Sequence, residues 1–160
     1  MKIFFVSSII FLSACQTSGP KDIDVPFDDW GTAKPGTVVS QSSEALKNGF
    51  YDVTKSSVNP AGHWEGVGHF GYIYFGKTEI CRCSSFDTVT SPDGRYIVYH
   101  SNKNKRLELY NTRNKNISAL SEGFVGYPRS ARWDFKKLSV AIYLREPSGE
   151  MGKTLVASLE

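Results

Sequence analysis

From Phe50 onward the chain is a succession of short segments rich in aromatic and β-branched residues, set so close together that antiparallel strands joined by tight turns are the natural way to use them. "HFGYIYF" (His69 to Phe75) is followed by "TEICRC" (Thr78 to Cys83), with Gly76 and Lys77 as the turn between them. "FDTVT" and "RYIVYH" flank Ser91-Pro92-Asp93-Gly94. "RLELYNT" alternates apolar and polar positions, and "NISAL", "LSVAIYL" and "TLVASL" do so less strictly. About nine strand candidates result, with no long helical pattern after Gly49. The expected class is mostly β with antiparallel sheets.

The Ser91–Gly94 turn has a mechanism at each position: a hydroxyl at the first, proline presetting φ at the second, a short polar side chain at the third and glycine at the fourth. A second copy follows, because "RWDFKKLSVAI" aligns without gaps on "VTSPDGRYIVY" and places Asp134 under Ser91, Val140 under Ile97 and Ile142 under Tyr99. The offset of 43 residues is that of a four-stranded blade. Phe135, Lys136 and Lys137 replace Pro92, Asp93 and Gly94, so the turn chemistry is expected to be lost in this copy. Forty-three residues before the first copy lies "NGFYDVT", which carries no motif.

The wording of this repeat resembles the blades of the periplasmic Tol-Pal propeller family and of prolyl oligopeptidase-type propellers. The resemblance covers about Phe86 to Glu160, with blade-like repeats near 86–127 and 129–160. A propeller closes with typically four to eight blades, and the roughly 110 residues that follow the leader make two to three. Three architectures are open: an incomplete propeller closed by oligomerisation, an open stack of blade-like sheets, and a small β-sandwich that shares only the hairpin. The resemblance implies a binding role, since envelope propellers present a flat end to a protein or peptide.

At the start of the chain, Lys2 precedes the apolar run "IFFVSSIIFL" and then Leu12-Ser13-Ala14-Cys15. A charged region, a short apolar region and small residues before a cut are the layout of an export signal, and the run is about half of the roughly 20 residues needed to span a bilayer. Residues 12–15 resemble the lipobox of bacterial lipoproteins. That resemblance implies cleavage after Ala14 and lipid attachment at Cys15, so residues 1–14 are read as signal peptide. Two or more acyl chains would anchor the protein without another membrane segment. Gln16 stands where the enteric family carries an inner-membrane retention Asp, which points to the outer membrane.

Residues 15–48 are expected to form a lipidated tether: Pro20, Pro26, Pro35 and a glycine- and serine-rich run leave little apolar periodicity. "SSEALKNG" within it is read as one or two helical turns, and 49–160 as the β domain. The composition, 40% hydrophobic and 13% aromatic, supports a packed core. The net charge of only +3 gives no support for a nucleic-acid partner. Charge is uneven, with three cations against six anions in residues 16–52, and six cations against Glu108 alone in residues 95–115. A basic domain of this kind suits an anionic membrane surface or solvated hairpin tips.

The chemistry-bearing residues are few. His63, Glu65 and His69 in "GHWEGVGHF" are a metal-binding alternative whose spacing matches no helical metalloenzyme site. Cys81 and Cys83 are spaced as i and i+2 on one side of a strand, and the readings run from a strained or reversible disulfide, through two buried thiols, to a metal site. Trp64 and Tyr127 are partner-contact candidates among the aromatics, while Tyr72 and Tyr74 read as core. No nucleophile elbow, P-loop or dinucleotide fingerprint occurs, so neither catalysis nor a cofactor is expected. The resulting expectation is a non-catalytic envelope lipoprotein that binds a protein partner or itself. A metal-binding or enzymatic envelope protein and an inhibitor or immunity-like lipoprotein are the rival classes.

Overall fold

Strand β7 (Tyr96–Ser101) is buried along its whole length, and the architecture follows from what covers its two faces. In the computed structural model of the chain, which describes residues 18–26, 33–58 and 68–159, β7 lies in the middle of three antiparallel sheets. Its own sheet is the meander β6 (Thr88–Thr90), β7, β8 (Arg106–Asn111) and β9 (Ile117–Ala119). The first sheet has the order β1 (Ile23–Asp24), β2 (Val38–Ala45), β3 (Phe50–Ser57), β4 (Gly68–Phe75) and β5 (Thr78–Cys81). The third is β10 (Tyr127–Asp134), β11 (Ser139–Arg145) and β12 (Met151–Ser158).

Alternation along the strands divides the core in two. Ile97, Tyr99 and Tyr110 join Phe50, Ile73, Cys81 and Cys83 between the first and middle sheets. Tyr96, Val98, Leu107 and Leu109 join Val140, Ile142, Leu144 and Leu159 between the middle and third sheets. The middle sheet is thus covered on both faces, as its near-continuous apolar strands require. The chain is mostly β, in antiparallel blade-like sheets that stack without closing into a ring. The aligned repeats coincide in structure, β7 starting at Tyr96 and β11 at Ser139, 43 residues apart.

Two expectations about the first part of the chain are corrected. The tether assigned to residues 15–48 contributes β1 and β2, and β2 pairs with β3 from Val38↔Ser57 to Ala45↔Tyr51. The serine-rich composition misled because pairing uses backbone groups, and a strand near a sheet edge needs little apolar surface: here the fully buried Val39. Ser43 adds a side-chain anchor, its backbone N–H and hydroxyl both donating to Asp22 Oδ1 (2.9 and 3.0 Å). The helical turns expected in "SSEALKNG" reduce to a 3-10 turn at Lys47–Gly49, with Asn48 in the left-handed region (φ 61°).

The turns keep the sheets in register. Ser91 Oγ donates to Asp93 Oδ1 (2.7 Å) and accepts from the Tyr96 N–H (2.9 Å), so the hydroxyl and the short acid act as their positions imply. The second copy was expected to lose this chemistry, yet Asp134 Oδ1 accepts from the backbone N–H groups of Lys136 and Lys137 (both 3.1 Å). One carboxylate does the work of the Ser/Asp pair, and Leu138 takes the positive φ (48°).

Gly94 (φ +71°) lies against the first sheet, and a Cβ there would come within 2.6 Å of Asn48 Cβ. The Asn48 amide in turn donates to the carbonyls of Ser91 and Pro92 (3.3 Å each). Gly94→Ala is therefore expected to lose about 1–3 kcal/mol, from the left-handed backbone and the displaced turn together. A urea-unfolding midpoint equal to wild type would show that the two turns do not bear on each other.

Candidate functional site

One polar cleft gathers residues from all three sheets. Its walls are His69 to Gly71 of β4, the segment from Arg82 to Ser84 with Asp87, His100 and Asn102 around the end of β7, and Tyr127 at the start of β10; its volume is about 360 Å³. Stacking creates it, because His69 and His100 lie on different sheets. Each wall is braced. Asn102 Nδ2 donates to the Arg82 carbonyl (2.9 Å), Asp87 Oδ1 accepts from Arg145 Nη2 (3.2 Å), and Ser56 Oγ is hydrogen-bonded to His69 Nδ1 (2.7 Å).

His100 is the least accessible polar group of the cleft, with 5% of its surface exposed. Its ring meets the edges or faces of Phe124 and Tyr127 at centroid distances of 5.0 and 5.2 Å, and Phe124 and Tyr127 pack on each other at 5.3 Å. Burial pulls its pKa below the ordinary imidazole value and the charge of Lys105 adds to this, against smaller opposing effects of Asp87 and Glu108. A neutral imidazole results at neutral pH. Its Nε2 is buried and has no hydrogen-bond partner.

The sulfurs of Cys81 and Cys83 are bonded to each other, with 5.4 Å between the Cα atoms. Cys83 lines the polar cleft, whereas Cys81 lines a neighbouring cleft of about 310 Å³ that also holds Tyr99, Asn104 and Glu108. Arg82, the residue between the two cysteines in sequence, is exposed and carries its guanidinium 3.7 Å over the Phe70 ring.

Searches of protein-family models, curated proteins and solved structures returned no match to this chain. The site therefore rests on its own geometry.

Of the residues singled out in the sequence, the structure brings His69, Cys83 and Tyr127 to this cleft. Cys15, His63, Trp64 and Glu65 lie outside the described residues. Among the described residues no group of three or more His, Cys, Asp or Glu side chains is arranged to hold a metal ion, and no helix is long and apolar enough to cross a membrane. Tyr72 and Tyr74 are on the face of β4 opposite to the core residue Ile73; Tyr74 is buried there as expected, whereas Tyr72 is only half-buried. There the Tyr74 hydroxyl donates to Glu79 Oε2 (2.7 Å), and Lys55 Nζ sits 4.3 Å above the Tyr72 ring. Sequence reasoning missed Arg82, His100 and Asn102. His100 closes an apolar run and Arg82 hides between two cysteines, so neither carries a local signal of its role.

Proposed function

We propose that this chain is a lipid-anchored module of the bacterial cell envelope, most consistent with the outer membrane, that works by binding a protein partner or another copy of itself and not by catalysis. The observation that carries the reading is the uncovered end of the stack. The third sheet packs its Val140, Ile142 and Leu144 face on the middle sheet. Its other face presents Tyr143 and, on β12, Val156 (69% exposed). The pairings Ala141↔Val156 and Tyr143↔Thr154 put these side chains on one surface. Among the described residues no strand pairs with the far edge of β12, an eight-residue edge ready for β-addition. In a propeller, the next blade would pack at this position.

The lipobox-like Leu12–Cys15 supports the anchor, and the cations of the hairpin tips suit an anionic surface nearby. The test is crosslinking in native membranes with the tagged full chain, its Cys15→Ala form, and the double variant Tyr143→Glu, Val156→Glu. Cys15→Ala should leave the membrane fraction. The double variant should retain its unfolding midpoint, because both side chains are exposed, and should lose about nine-tenths of the crosslinked species, as removal of central interface contacts does. Undiminished crosslinking would overturn the role of this face, and a membrane-bound Cys15→Ala chain would overturn the anchor.

A further inference from the structure

Arg82 is an unanswered charge in a prepared setting. Its guanidinium carbon sits 3.7 Å over the Phe70 ring, and among the described residues no carboxylate pairs with it. The main chain that carries it is held by the disulfide on both sides and by Asn102 on its carbonyl. A guanidinium stacked on a ring keeps its edge N–H groups for an acceptor in its own plane, and two parallel N–H donors match the two oxygens of a carboxylate. The other full charge of the lining, Asp87, is already paired with Arg145. The cleft is left with one net positive centre. A phosphate dianion would bring a second negative charge against Asp87 with no second cation to meet it, whereas one carboxylate balances Arg82 alone.

The second, independent observation is His100. A buried polar atom without a partner costs about 1–3 kcal/mol, so it marks a place where the packing serves something other than stability. His100 lines the same cleft with its Nε2 unpartnered, beside Tyr127. The aromatic rings of Phe70 and Tyr127 give the cleft apolar surface on either side of the polar groups. Its volume of about 360 Å³ is at the small end for ligand sites, enough for an amino acid or two.

We propose that this cleft binds the carboxylate of an amino-acid- or dipeptide-sized ligand end, paired with Arg82 and seated against the wall formed by His100 and Tyr127. The ligand end belongs either to a free short peptide or to the C-terminus of a longer chain. The proposal is independent of the outer face of the third sheet and stands whether or not that face holds a partner.

The experiment titrates the full chain with N-acetyl-dialanine, its C-terminal amide and a ten-residue peptide ending in the same two alanines, by calorimetry and by the ¹⁵N resonances of His100. The expected result is saturable binding of the acid with a shift of the His100 Nε2 resonance, and binding of the amide weaker by about tenfold or more. Arg82→Gln should remove the preference for acid over amide. Arg82→Lys, which keeps the charge and loses the fork, should weaken the acid about fivefold or more. Both variants replace an exposed side chain and should unfold at the wild-type midpoint. If the ten-residue peptide binds at least as tightly as the dipeptide, the ligand end is that of a longer chain. If it binds more weakly, the ligand is a free short peptide. Equal binding of acid and amide, no binding of either at about 10 mM, or an acid preference that survives in Arg82→Gln overturns the proposal.

Discussion

Phe50→Ala will lower the stability of the domain by about 3–5 kcal/mol, the range for emptying a fully buried aromatic site. Phe50 has no exposed surface and belongs to the cluster that joins the first sheet to the middle one. Its ring meets Phe75 at 5.2 Å, tilted by 55°, and the same cluster contains Ile73 from β4 and Ile97 and Tyr99 from β7. Because its neighbours come from two sheets, the void cannot be closed by a shift of one strand. Denaturant unfolding followed by both tryptophan fluorescence and far-ultraviolet circular dichroism measures the loss. Coincident transitions with a lowered midpoint are expected, since a shared core couples the two sheets. An unchanged midpoint would mean that the first sheet does not pack on β7 as described.

Glu108→Ala is the second large effect, about 2–4 kcal/mol at neutral pH, with a changed response to acid. Glu108 is 2% exposed and stands opposite Tyr99 in the β7–β8 ladder. Its Oε1 accepts from Asn104 Nδ2 (2.7 Å) and Arg106 Nε (3.0 Å), and the Tyr99 hydroxyl donates to the same carboxylate. Desolvation alone would raise the pKa of this carboxyl. The three hydrogen bonds and the charge of Arg106 together outweigh that and hold it below its ordinary value of 4.5. Tyr99 is driven the other way, its hydroxyl pushed far above the ordinary tyrosine value by burial and by the neighbouring carboxylate.

The sign follows from linkage. A carboxyl whose pKa is lower in the folded state stabilises the fold above its unfolded value and loses that contribution as pH falls through the folded one. Wild type should therefore lose stability below about pH 4.5 more steeply than Glu108→Ala, whose curve should be flatter there. Parallel curves would show that Glu108 contributes no proton linkage.

Most of the strands from β4 onward were legible because their signals are local. "RYIVYH" is apolar at consecutive positions, and that run marks a strand covered on both sides, as Tyr96 and Val98 on one face and Ile97 and Tyr99 on the other demonstrate. The 43-residue offset placed the start of β11 from that of β7. Strand β2 was not legible. "VVSQSSEA" has one deeply buried side chain, and its place in the sheet comes from β3 beside it. The site was legible only in fragments: the i, i+2 cysteines and Tyr127 could be picked out, but Arg82 and His100 acquire meaning from what faces them.

Turn residues that preset φ, two-residue alternation and the blade-length repeat act locally, so the sequence by itself determined most of the chain reversals from β4 onward and the spacing of the repeated strands. The stack was decided only in three dimensions. Whether an apolar strand face meets a second sheet, whether a serine-rich segment is a leader or a strand, and which side chains meet in the cleft depend on surfaces far apart in sequence. Burial is a property of the pair of surfaces that meet, and no single segment encodes it.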